Sequence, residues 1–92
     1  MKFLSETIIG KGLIYEQLAK VAAEVFNVSL AEINKDAEVG MFEGWDSLGH
    51  LKLFMAIEEK MKVKFTTDEI VELSSLSKIQ SNIEWKLSKA TE

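Results

Sequence analysis

Ninety-two residues with eleven basic against fifteen acidic side chains, a formal net charge of −4, make one domain of modest core, with no Lys/Arg stripe of the kind a nucleic-acid backbone needs. The absence of cysteine excludes disulfides, thiolate metal sites and a cysteine nucleophile, which fits a reducing compartment and makes the cytoplasm the expected location. No apolar stretch approaches the roughly 20 residues of a membrane span, so the chain is expected to be soluble, and a monomer is expected as well.

Lys2, Phe3 and Leu4 look like the start of a signal peptide, but Ser5 and Glu6 interrupt the apolar run, and residues 1–10 read as an N-terminal extension of a single domain, 1–92, with its core at 14–87. There is no proline, and the five glycines at 10, 12, 40, 44 and 49 leave 13–39 and 50–92 unpunctuated. Ile14, Leu18, Val21, Val25 and Phe26 recur at three- and four-residue spacing, which predicts an amphipathic first helix. It should end near Phe26, with Asn27 left-handed and Val28 folding back on the last turn. Ser29 and Glu32 have capping-box spacing and predict one short turn before a long loop that runs to Trp45.

The second helix should run from Asp46 or Ser47 to about Met61. Thr66 and Glu69 repeat the capping-box spacing and open a short third helix over about 67–73, and Ser75 opens a fourth, with Leu76, Ile79, Ile83 and Leu87 on one face and Trp85 on the other. The expected architecture is an all-α four-helix bundle with a long first loop and a short third helix.

At about 100° per residue, Leu53, Ile57 and Met61 share an arc of the second helix that faces the core, flanked by His50 and Phe54. Leu48, Leu51 and Met55 share a second arc on nearly the opposite side, for which a small bundle has no cover. Either that arc is a docking surface beside Ser47, or the loop 34–45, with Met41, Phe42 and Trp45, folds over it. A serine at a helix start is by itself most often a cap.

Gly44-Trp45-Asp46-Ser47-Leu48, followed by the helix from His50 to Lys60, resembles the acyl carrier protein family, peptidyl carriers included, in which Asp-Ser-Leu opens the second helix. The order of helices and loop from about Ile14 to Leu87 fits the same family. The resemblance implies that Ser47 is esterified with 4′-phosphopantetheine, whose thiol carries acyl or aminoacyl groups as thioesters, and that Asp46 assists recognition by the phosphopantetheinyl transferase. It also implies a loading ligase and a downstream acyltransferase or synthase as partners, in a pathway such as fatty acid or polyketide synthesis, and no catalysis by the chain itself. An oxygen at a helix N-terminus sits among free N–H groups that favour an attached phosphate. The chain departs from the family at positions 49, 50 and 52, which are Gly, His and Lys where many relatives are acidic. Docking should therefore rest on Leu48, Leu51 and Met55, with Glu58 among the remaining acidic residues. Gly49 has no evident packing reason in the sequence.

His50, three residues after Ser47, suggests a serine–histidine pair, and Asp-Ser-Leu also occurs in the Gly-Asp-Ser-Leu hydrolases. Position 45 is Trp rather than Gly, the chain is too short for that fold, and neither an orienting acid nor an oxyanion hole can be named. One histidine and scattered carboxylates make no metal site. The remaining alternative to a carrier is a helical interaction module that is never modified.

Overall fold

The computed structural model describes residues 2–90, with side chains over 13–89. Four helices follow in order, α1 Lys2–Phe26, α2 Ser47–Met61, α3 Thr67–Glu72 and α4 Leu76–Ala90, with a 3-10 turn at Leu30–Glu32. This is the expected all-α bundle. The helix begins well before Ile14, however, because Gly10 and Gly12 each lower helix stability by only about 1 kcal/mol and do not break a helix that is otherwise continuous.

The helix ends follow local chemistry. Asn27 is left-handed at φ 56°, and the Val28 N–H donates back to the Ala23 carbonyl at 3.1 Å, which satisfies one of the free carbonyls of α1. At the 3-10 turn the Glu32 carboxylate accepts from the Ser29 N–H and hydroxyl. Thr66 and Glu69 form a reciprocal capping box at α3, and Ser75 lies at the start of α4, where its hydroxyl accepts from the Lys78 N–H.

Both α2 and α4 pack on α1, and α3 packs on α2. Leu18, Val21 and Ala22 of α1 share one buried cluster with Leu53, Phe54 and Ile57 of α2 and Leu76, Ile79 and Ile83 of α4, and Val25 and Met61 close its edge half-buried. Leu87 carries the face of α4 past this cluster and is exposed. Trp85, on the opposite face, is 57% exposed, with the Lys89 ammonium 5.0 Å from its ring centre. The sequence predicts Phe3, Leu4 and Ile8 as its cover if the termini meet at one end of the bundle, and these residues lie outside the described side chains.

The loop between the 3-10 turn and α2 is held at both ends. Its first half pairs with the α3–α4 junction, where the Val39 N–H donates to Ser74 O at 3.0 Å and the Leu76 N–H to Ala37 O at 2.9 Å. Its second half closes on itself, with Gly40, at φ 97°, donating to the Trp45 carbonyl at 2.8 Å. The loop buries Ala37 and Trp45 inside the bundle and leaves Met41 exposed, so it does not cover the second arc of α2.

Leu53→Ala should therefore cost about 2–5 kcal/mol, whereas Met55→Ala, which removes little buried area, should cost well under 1 kcal/mol. Urea unfolding of the two variants checks this, and similar losses in both would mean that the two faces are confused.

The short α3 is fixed to α4 by one carboxylate. Glu69 accepts from the Lys86 ammonium at 2.8 Å, the Thr66 N–H at 2.9 Å and the Asn82 amide at 3.5 Å. The Lys86 hydrogen bond first, and the Thr66 N–H next, hold its carboxyl below the usual value. A depressed carboxyl contributes stability above its unfolded value and loses it as pH falls through the folded one. The stability gap between the wild type and Glu69→Gln should thus be widest above about pH 5 and narrow in acid, as read from urea midpoints across pH. A gap that widens in acid would contradict the assignment.

Candidate functional site

The start of α2 divides its tasks between adjacent residues. Asp46 is extended, at φ −107° and ψ −163°, and its carboxylate accepts from the Gly49 N–H at 2.9 Å, so Asp46 is the cap. Ser47 is the first helical residue and is exposed. The cap is made by the Asp46 carboxylate rather than by the Ser47 hydroxyl, which stands at the helix end where the first-turn N–H groups lack partners within the helix.

Leu48, Leu51 and Met55 are 61%, 45% and 61% exposed and form a continuous apolar arc running from Ser47 along α2. Glu58, further along α2, is half-buried, and its carboxylate accepts from the Phe65 N–H at 3.0 Å, so it also ties the α2–α3 connection.

Behind Ser47 lies an arrangement that the sequence reading did not find. A Cβ on Gly49 would run into the Gly44 carbonyl oxygen and come 3.3 Å from the Phe26 ring, so the loop backbone lies directly on the first turn of α2. Gly49 is there because nothing larger fits. Trp45 is fully buried, stacked on Phe26 at 4.9 Å between ring centres, and its indole N–H donates to His50 Nδ1 at 2.9 Å. The other ring nitrogen of His50, Nε2, meets the Ile70 carbonyl of α3 at 2.8 Å. His50 is thus engaged on both nitrogens inside the bundle, and the serine–histidine pair does not form. The signals for this arrangement were a helix-breaking glycine in a first turn and an aromatic residue beside the motif. Among the described residues no group of three His, Cys, Asp or Glu could hold a metal ion, and no helix is long and apolar enough to cross a membrane.

Residues 16–80 match the family described as phosphopantetheine attachment site. Acyl carrier proteins from two strains of Helicobacter pylori, J99 and G27, are 30% and 31% identical over 71 residues, 77% of this chain and 91% of theirs. That of Guillardia theta is 30% identical over 74 residues, 80% of this chain and 91% of its own length. The chain belongs to the acyl carrier protein family. Its prosthetic group is accordingly 4′-phosphopantetheine, and as a carrier it is not an enzyme but a protein worked on by modifying and synthase enzymes. Of Gly49, His50 and Lys52 on the second helix, the first two are accounted for by the loop that packs on them.

Proposed function

We propose that this carrier holds acyl or aminoacyl groups on a 4′-phosphopantetheine arm attached to Ser47 and delivers them to partner enzymes in the cytoplasm. The observation that carries the reading is the separation of Asp46 as cap from Ser47 as exposed first residue of α2, which leaves the serine hydroxyl available at a helix end that favours a phosphate. Nothing on the described surface crowds that position, so an arm attached there would extend away from the bundle. The arm, once attached, supplies the thiol on which acyl groups travel; the chain's own residues present it and need no general base.

Asp46 beside Ser47 assists recognition by a phosphopantetheinyl transferase, and Leu48, Leu51 and Met55 form the docking surface for that enzyme, for a loading ligase and for a downstream acyltransferase or synthase. Their exposure supports this, since apolar side chains left uncovered in a row usually mark an interaction surface. Glu58 adds a partly exposed carboxylate to that surface while accepting from the Phe65 N–H.

Intact-mass measurement after incubation with coenzyme A, Mg²⁺ and a broad-specificity transferase tests the reading. The wild type should gain one phosphopantetheine. A wild type that stays unmodified by a transferase active on another carrier would favour an interaction module that is never modified.

A further inference from the structure

We propose that His50 is a positioning residue for the loading of Ser47, acting through Trp45. The inference rests on Ser47 being the attachment point and adds to it a residue that sets how the serine is presented.

The argument begins with hydrogen-bond chemistry. An indole N–H can only donate, so the Trp45 bond requires a lone pair on His50 Nδ1, and the ring proton must then sit on Nε2, where it donates to Ile70 O. The partners therefore fix a single neutral tautomer. Ile70 O is among the last four carbonyls of α3, which have no partner within the helix, so the same imidazole also caps α3. One ring ties together the loop before Ser47, the first turn of α2 and the end of α3.

The two bonds have different consequences. Trp45 is two residues from Ser47, joined through the extended cap residue Asp46, and its carbonyl closes the loop 40–45 by accepting from Gly40. Where the indole sits, Ser47 follows. A buried indole N–H deprived of its acceptor would have to move towards water, and the segment carrying Asp46 and Ser47 would move with it. The Ile70 bond instead supports α3, which lies away from the serine in the chain. His50 touches neither the serine hydroxyl nor anything that reacts with it.

In the loading step the Ser47 hydroxyl oxygen forms a bond to the pantetheine-bearing phosphorus of coenzyme A. The pyrophosphate P–O bond breaks, adenosine 3′,5′-bisphosphate leaves, and the hydroxyl proton passes to a base of the transferase. The chain's contribution is the placement of that oxygen.

Three variants of the full chain separate the two bonds. His50→Asn sets a carbonyl oxygen near the place of Nδ1 and keeps an acceptor for Trp45, His50→Gln sets an amide nitrogen near the place of Nε2 and keeps a donor for Ile70, and Trp45→Phe removes the indole donor while keeping an aromatic ring in the stack. With coenzyme A and the transferase, His50→Asn should load like the wild type. His50→Gln and Trp45→Phe should lose about ten- to a hundredfold, mainly in kcat for the carrier, with KM for coenzyme A unchanged. The double variant Trp45→Phe/His50→Gln should lose no more than either alone. Nitrogen NMR of the wild type should report the Nε2–H tautomer of His50. Equal loading by His50→Asn and His50→Gln, or an Nδ1–H tautomer, overturns the proposal. Should His50→Gln fail to fold, Trp45→Phe decides, since loading at the wild-type rate would overturn it. A wild type that is not loaded at all overturns the assignment of Ser47, and the positioning role with it, whereas a loaded wild type matched by every variant overturns the positioning role alone.

Discussion

Ser47→Ala should abolish the gain of phosphopantetheine while leaving the urea midpoint within the equivalent of about 0.5 kcal/mol of the wild type. At most helix starts a serine is the capping residue, and its loss costs about 1 kcal/mol, so activity and stability fall together and neither interprets the other. Here the cap is Asp46, whose carboxylate takes the Gly49 N–H at 2.9 Å, and Ser47 is already inside the helix, where alanine is the better helix former. The serine hydroxyl is therefore separable from the fold. Asp46→Ala provides the contrast, because it should cost about 0.5–2 kcal/mol through the lost cap and slow the transferase as well. Mass spectrometry and urea unfolding of both variants read the two effects independently. A loss of about 1 kcal/mol or more in Ser47→Ala would make the hydroxyl a structural group and remove the main support for its role as the attachment point.

How much of this was legible in the sequence depended on the range of each interaction. Asn27 and Val28, Ser29 with Glu32, and Thr66 with Glu69 close rings over a few residues, so the sequence contains both partners at fixed spacing, and each appears where its spacing predicted. The two faces of α2 were also legible, since Leu53 and Ile57 are buried while Leu48, Leu51 and Met55 are exposed, as the periodicity of the helix requires. The path of the loop was not. Its pairing with Ser74 and Leu76, the seat of Trp45 against Phe26 and the second bond of His50 to Ile70 join residues 19 to 39 positions apart or depend on them, and no spacing rule specifies such pairs. The bond that Glu58 accepts from the Phe65 N–H, seven residues on, was not legible for the same reason.

Gly49→Ala should destabilise the protein by about 1–3 kcal/mol, although the same change in an ordinary helix interior stabilises by about 0.5–1 kcal/mol. The reversal comes from what faces the missing side chain. A new Cβ would meet the Gly44 carbonyl, which is backbone and cannot rotate aside, with the Phe26 ring 3.3 Å away on another side. Either α2 or the loop must shift. The loop is the softer of the two, but Gly44 is joined directly to Trp45, whose indole is held by Phe26 and His50, so the displacement would pass into the aromatic stack. Two measurements follow. The urea midpoint should fall, and the emission of Trp45, recorded in a Trp85→Phe background so that a single indole reports, should move to the red as the ring loses its buried seat. Because the same shift would displace Asp46 and Ser47, loading should slow even at temperatures where the variant is fully folded. If Gly49→Ala were instead as stable as the wild type or more so, with unchanged Trp45 emission, the loop would not lie on the first turn of α2, and the account of how Ser47 is held in place would fail with it.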